Sequence, residues 1–199
     1  MIKLRRLQME DAENMLEWMH DPENQKGFRR DMMSMTLEDA RNFCLEVSSE
    51  TYSKRNTDLH LAITDETDEY LGTISLKNIN MEHRSAEMAI SVRRKARGLG
   101  VAKKAVGLLL QKSFGEMALH RVYLTVLSNN IVAIKFYEKC GFIYEGELRD
   151  HLFIKGNYIS WKLYGMIEDE YSESIFSEMT QGNKKGGEGM GLYEKYNGK

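Results

Sequence analysis

The sequence predicts an α/β (α+β) fold built on a mixed, mostly antiparallel sheet. Three observations carry this. Short runs that alternate apolar and polar residues recur along the chain, as half-buried strands require. Two segments, 98–114 and 130–140, instead repeat apolar residues at three- and four-residue steps, the pattern of amphipathic helices. Short polar turns join several consecutive strands, and a tight turn makes its two strands antiparallel. The order read from the chain is β-α-α-β-β-β-α-β-α-β-β.

Residues 2–6 form the first strand. Residues 11–20 form a helix with Met15, Leu16, Trp18 and Met19 apolar. Pro22 and Gly27 punctuate the following loop. Thr36-Leu37-Glu38-Asp39 resembles a capping box, with Asp in place of the usual Glu or Gln, and opens a helix to about residue 50. Residues 59–63 are a strand, 64–69 a polar turn and 70–76 the next strand. In 86–92, Ala86, Met88, Ile90 and Val92 alternate with Glu87, Ala89 and Ser91, a strand with one polar face. Leu99, Ala102, Ala105, Val106, Leu109, Leu110 and Phe114 line one side of the helix at 98–114. Residues 121–127 alternate Val122, Leu124 and Val126 against Tyr123 and Thr125. Asn130 begins a helix with Ala133, Phe136, Tyr137 and Cys140 on one stripe, and Gly141 ends it. Residues 142–155 and 158–164 are two long strands across a Gly156-Asn157 turn.

The length of 199 residues suits one domain, at 1–171, with a glycine-rich C-terminal extension at 172–199. That extension suggests a short helix at 174–179, and its Tyr193 and Tyr196 could anchor a partner. Twenty-eight basic against 30 acidic residues leave a net charge of −2, which argues against a general nucleic-acid coat. No run approaches the ~20 apolar residues of a membrane span. The start alternates apolar with charged residues, unlike a secretory leader. Cys44 and Cys140 are the only cysteines, too few for a disulfide scaffold or a four-cysteine zinc site. Two reduced thiols read as cytoplasmic. The five histidines are scattered, so no metal site is expected.

The strongest chemical signal is the stretch 92–102. A strand runs into Gly98 and Gly100, which open an amphipathic helix. Glycines let backbone N–H groups converge without Cβ obstruction, and the first helical turn offers unpaired donors to an anion. Arg93, Arg94, Lys95, Arg97, Lys103 and Lys104 surround the turn with no acidic residue between 93 and 104. A pyrophosphate fits there. The alternative is a plain glycine turn before a helix with a solvated basic face. RNA binding by this patch is disfavoured, because no aromatic residue is interleaved in it. The P-loop and Gly-x-Gly-x-x-Gly patterns are both absent.

Lys95-Ala96-Arg97-Gly98-Leu99-Gly100-Val101-Ala102 resembles the Arg/Gln-x-x-Gly-x-Gly/Ala signature of the GNAT family of N-acetyltransferases, with Lys95 where Arg or Gln is usual. Lysine keeps the charge but loses bidentate geometry. Asn130, Ala133, Ile134, Phe136, Tyr137, Glu138, Gly141 and Phe142 match the family's Asn…Ala-x-x-Phe/Leu-Tyr-Glu-x-x-Gly-Phe block. Both blocks stand in the family's order and spacing, and the similarity covers roughly residues 1–170. The Glu-Gly-x-Leu-Arg-Asp segment at 145–150 and the Lys-Gly-x-Tyr turn at 155–158 look like the RimJ/RimL-like branch. That branch acetylates ribosomal-protein N-termini, polyamines and amino-sugar nucleotides.

The resemblance implies a six- to seven-stranded sheet flanked by helices. It implies acetyl-CoA as cosubstrate, held in a V between two splayed central parallel strands, at 87–92 and 121–127. The pantetheine arm would pair with the backbone at Ile90, Ser91 and Val92. The pyrophosphate would sit near Lys95 on the amides of Arg97, Gly98, Leu99, Gly100, Val101 and Ala102. Asn130, Ala133 and Tyr137 would lie on the far side of the thioester. Attack by the amine is direct in this family, which agrees with the absence of a Gly-x-Ser-x-Gly nucleophile elbow.

Tyr137 is the candidate acid for the departing thiolate, or a CoA contact; the alternative is a packed stripe residue beside Phe136. Glu87 is the candidate base, through water; the alternative is a cross-strand pairing carboxylate. A backbone N–H near Ile90 suits the oxyanion. His83, His120 and His151 are further titratable groups, each better read as structural.

The acceptor groove is expected between the 21–31 loop, the helix at 36–50 and the final hairpin. Asp21, Glu23, Asp31, Glu145, Glu147 and Asp150 could meet a cation, or be ordinary solvated charges. Phe28-Arg29-Arg30 could meet an anion. The expected acceptor is a small-molecule amine, an amino-sugar nucleotide slightly ahead of a polyamine. A protein N-terminus is the alternative, and a non-catalytic acyl-CoA-binding module a further one. A homodimer through the sheet edge or terminal strand is also expected.

Overall fold

The structure, a computed structural model, describes residues 1–49 and 58–172. The proposed helix at 174–179, Tyr193 and Tyr196 lie outside the described residues. Among the described residues, seven strands form one sheet in the order β1-β2-β3-β4-β5-β7-β6. They are β1 (Lys3–Arg6), β2 (Leu59–Thr64), β3 (Tyr70–Asn80), β4 (Ser85–Val92), β5 (Arg121–Leu127), β6 (Ile143–Ile154) and β7 (Asn157–Ile167). Only β4 and β5 pair in parallel. The other five pairings are antiparallel; short turns join β2 to β3, β3 to β4 and β6 to β7, whereas β1–β2 and β5–β7 meet across intervening elements.

Among the described residues, five α-helices complete the fold: α1 (Asp11–Met19), α2 (Pro22–Gln25), α3 (Leu37–Ser49), α4 (Val101–Gln111) and α5 (Ile131–Lys139). Apart from α2, which buries no residue, they divide between two hydrophobic cores. Leu61 and Ile63 of β2 join the larger core with Val106 and Leu109 of α4 and Ile134 of α5. Ala62, between them, joins the smaller core with Met15 and Trp18 of α1 and Ala40 and Cys44 of α3. Side chains alternate across a strand, so the two helix sets cover opposite faces of the sheet.

The capping box opens α3 with Asp in the acidic role. Thr36 Oγ1 accepts from the Asp39 amide at 3.1 Å, and Asp39 Oδ2 accepts from the Thr36 amide at 2.8 Å. Three expectations need correction. The 21–31 segment is not all loop: Asp21 caps α2 by accepting from the Glu23 amide at 2.9 Å, with Pro22 in the first turn. The helix expected from residue 98 starts at Val101, because Gly98 and Gly100 both have φ +74°, a left-handed conformation that ends before a helix can begin. The final hairpin turns one residue earlier, at Lys155-Gly156, with Ile154 paired to Asn157; both turn residues have positive φ, as a tight two-residue hairpin needs.

Candidate active site

The sheet opens at one place. β4 and β5 pair only at Ser85–Arg121, Ala86–Val122 and Glu87–Tyr123. Beyond Glu87, β4 stays with β3 as far as Val92, and β5 stays with β7 as far as Leu127. The two strands therefore diverge into a V, and the half-buried Ile90, Ser91 and Val92 lie along one of its arms. β3 presses close behind that arm: a Cβ on Gly72 would lie 2.4 Å from the Ser91 carbonyl oxygen.

At the end of this arm the chain makes a 3-10 turn at Arg94–Ala96, then passes through Gly98 and Gly100 into α4. The first-turn amides of α4 have no carbonyl four residues earlier within the helix. A Cβ on Gly98 would meet nothing within 4 Å, so its glycine answers to backbone conformation rather than crowding. Leu99 between the two glycines is 70% exposed.

Half of the basic cluster is engaged inside the protein. Arg93 is buried and donates to Glu17 at 2.7 Å and to the Tyr70 carbonyl at 2.9 Å. Lys95 pairs with Glu69, and Arg97 donates to Asp21 at 2.6 Å. Burial works to raise the Asp21 carboxyl, but the Glu23 amide and the Arg97 guanidinium outweigh it and hold it below the usual range. Arg94, Lys103 and Lys104 make no ion pair among the described residues. The local positive charge is therefore smaller than six cations would suggest.

Across the V, Asn130 caps α5: its Oδ1 accepts from the Ala133 amide at 3.2 Å. Gly141 closes the helix at φ +87°. Tyr137 is buried between Phe136 and Phe142, and its hydroxyl bonds no described residue. Burial pushes its phenol up to about 12. A thiol ordinarily titrates near 8.5, so full proton transfer from this phenol to a thiolate would be uphill by roughly 5 kcal/mol. With its ring buried and its hydroxyl bonded to no described residue, Tyr137 is suited instead to donate a hydrogen bond to developing negative charge.

Glu87 stands at the vertex of the V. Oε1 accepts from Thr125 Oγ1 at 3.1 Å, Oε2 accepts from Asn78 Nδ2 at 3.3 Å, and Lys77 Nζ lies 3.6 Å away. Lys77, Asn78 and Thr125 were not singled out from sequence. For Thr125 the available signal was register, since the polar faces of 86–92 and 121–127 meet once those strands are neighbours; Lys77 and Asn78 lie past the expected end of the strand at 70–76, in the part of β3 that pairs with Glu87. Of the histidines, His151 stacks on Trp161 and His120 lies 3.9 Å from Glu168, both away from this vertex. Among the described residues no group of three or more His, Cys, Asp or Glu could hold a metal ion, and no helix is long and apolar enough to cross a membrane.

A cleft of about 810 Å³ opens between the α2 region, the end of β5 and the β6–β7 hairpin; the 21–31 segment and the hairpin line it as expected, but the helix expected to join them, α3, contributes no lining residue, and the end of β5 takes its place. Lys26, Arg29, Arg30 and Lys155 border it, against Asp31 and Asp150. Arg29 also lies over the Trp161 ring at 4.8 Å. The other acidic candidates are committed elsewhere or exposed: Asp21 to Arg97, Glu23 to Lys26 and Glu145 to Arg121.

A mixed sheet split between its two parallel strands, with a glycine turn opening a helix at the end of one arm, defines an acetyl-CoA-dependent N-acetyltransferase. The chain belongs to the GNAT family: the family's acetyltransferase domain model matches residues 2–143. It is 31% identical over 159 residues to a spermidine N(1)-acetyltransferase of Vibrio cholerae, covering 78% of this chain and 89% of that one. A crystal structure of spermidine N-acetyltransferase from Vibrio cholerae in complex with CoA and spermine superposes with a TM-score of 0.74 at 25% identity, covering 85% and 96% of the two chains. A dodecameric structure of spermidine N-acetyltransferase from the same organism gives 0.65 at 25% identity, covering 85% and 95%.

Proposed function

We propose that the protein transfers the acetyl group of acetyl-CoA directly to a primary amine of a polyamine. The observation that carries the acceptor class is the 31% identity, over 78% of the chain, with a spermidine acetyltransferase. In this reading the V holds the pantetheine arm along Ile90, Ser91 and Val92. The turn from Lys95 and Arg97 through Gly98, Leu99, Gly100, Val101 and Ala102 receives the diphosphate. Ala133, behind the Asn130 cap, and Tyr137 face the thioester from the other side.

Glu87 takes the proton that the ammonium must lose, through water. Lys77 and Thr125 hold its carboxylate ready for that step. The amine nitrogen then bonds the acetyl carbon. The C–S bond breaks as the tetrahedral intermediate collapses, Tyr137 donates a hydrogen bond to the departing thiolate, and the second proton shed by the nitrogen passes through water to that sulfur.

One observation favours a second acceptor. The cleft has four cations against two carboxylates, which suits an anionic amine such as an amino-sugar nucleotide better than a polycation. Thiol release from acetyl-CoA, measured against spermidine, spermine, amino-sugar nucleotides and Ala- and Ser-starting peptides, decides between them. Turnover with spermidine or spermine well above the rest is expected. Selective turnover of a sugar nucleotide or a peptide would replace the polyamine reading.

A homo-oligomer built on the hairpin belongs to the same proposal. β6 is an edge strand, and it exposes Ile143, Tyr144, Leu148 and Phe153. Long apolar edges are ordinarily covered.

A further inference from the structure

The short helix α2 touches all three parts of the V. From its N-cap, Asp21 binds Arg97 of the glycine turn at 2.6 Å. From its middle, Asn24 Nδ2 donates to the Trp18 carbonyl at 3.0 Å and to the carbonyl of Val92, the last residue of β4, at 3.4 Å. Just past its end, Gly27 approaches the cap of α5 so closely that a Cβ there would lie 3.2 Å from Asn130 Nδ2. The short segment 21–27, α2 with its flanking residues, therefore connects one arm of the V, the turn at its tip and the element facing it. The same segment forms a wall of the cleft through Pro22, Gln25 and Lys26.

These contacts are not those of a surface loop. Asp21 is only 7% exposed, although it is charged. A buried carboxylate is stable only when its partners replace water, and here the partners are the Glu23 amide and Arg97. Displacing Arg97 would leave that carboxylate without its countercharge. The wall of the cleft and the cofactor turn are thus held as one unit.

We propose that α2 is a tie between the two substrate sites, with Asp21 and Asn24 as positioning residues: ligand on the glycine turn is registered, through Arg97 and Val92, in the wall of the acceptor cleft. The proposal rests on the V being the acetyl-CoA site. Its central element is the charge pair. Asp21 also caps the helix, and the two roles separate chemically. Asparagine caps as well as aspartate but carries no charge, whereas glutamate keeps the charge and is a poor cap.

The experiment is hydrogen exchange by mass spectrometry with and without acetyl-CoA, on the wild type, Asp21→Asn, Asp21→Glu and Asn24→Ala. In the wild type, acetyl-CoA slows exchange at least about fivefold both at 97–102 and at 21–27. In Asp21→Asn the slowing persists at 97–102 and is lost at 21–27; Asp21→Glu keeps both. Asn24→Ala reduces the slowing at 21–27, and it reads the tie independently if an Asp21 variant fails to fold. With spermidine as acceptor, Asp21→Asn raises KM about tenfold while kcat stays within about threefold. Slowing at 21–27 that survives in Asp21→Asn, or that is lost in Asp21→Glu, overturns the tie and leaves Asp21 as a cap. Slowing at 97–102 alone in the wild type also overturns it. Absence of slowing at 97–102 in the wild type refutes the cofactor site itself, and the tie with it, whereas silence toward spermidine with both segments slowed rejects only the acceptor.

Discussion

Tyr137 and Glu87 differ in how far sequence could describe them. The Asn130–Phe142 block marked Tyr137 as either an acid or a core residue, and its environment has features of both. It is packed between Phe136 and Phe142, yet its hydroxyl bonds no described residue. Because burial pushes the phenol up to about 12, it stays protonated across the working range. Tyr137→Phe should lower kcat by roughly 10²-fold, the loss expected for one donor to developing charge, with the acetyl-CoA KM little changed. The wild type should show no alkaline limb in kcat from this group below about pH 11; such a limb near pH 9, abolished by the substitution, would reinstate full proton transfer. Glu87 was legible only as a polar residue on a strand. Its partners come from two places in the chain, Lys77 and Asn78 on β3 and Thr125 on β5, and only pairing register brings them to it. Glu87→Gln should cost kcat about 10²-fold with little change in melting temperature. Unchanged turnover with a lowered melting temperature would make Glu87 a cross-strand pairing residue.

At the scale of elements, periodic segments were legible and aperiodic ones were not. The strands alternate over enough residues to be counted, and α5 is bracketed by Asn130 and Gly141. α2 escaped because four residues contain no period; its only signals were Asp21 and Pro22, which also suit a turn. The start of α4 was misplaced because its apolar positions continue in phase through two glycines that the backbone holds left-handed. The splay of the V is likewise invisible in β4 or β5 alone, since it is a pairing that stops. Gly72 is where this element-level geometry can be tested. It faces β4 so closely that a Cβ would lie 2.4 Å from the Ser91 carbonyl oxygen and 2.9 Å from the Val92 Cα. Both neighbours are backbone, so no rotamer change relieves the contact. Gly72→Ala should push β4 toward the V, costing about 1–3 kcal/mol by overpacking. The acetyl-CoA KM should rise several-fold, more than kcat falls. Denaturant unfolding and initial-rate kinetics measure the two effects, and a stable variant with unchanged acetyl-CoA KM would show that the arm does not seat the cosubstrate.

At the scale of the whole molecule, the two cores hold several ionisable groups neutral, and this determines how stability depends on pH. Burial pushes Cys44 of the smaller core up to about 11, Cys140 of the larger core up to about 11, and Tyr137 up to about 12. Their ordinary values are 9.0, 9.0 and 10.0. In each case folding raises the pKa, because the packed interior disfavours the anion. The unfolded chain therefore releases its protons first as pH rises. The stability linked to these groups is fully present below pH 9 and is lost through the window from 9 to 12. Unfolding free energy from denaturant titration should hold between pH 7 and 8.5 and fall steeply above pH 10. Tyr137→Phe should flatten the portion above pH 10, since phenylalanine has no proton to lose in either state. The same fall in the variant as in the wild type would mean that the Tyr137 hydroxyl reaches water in the folded protein. The V would then be wetter at its far wall than the packing of Phe136 and Phe142 implies, and the hydrogen bond assigned to Tyr137 would have to compete with solvent.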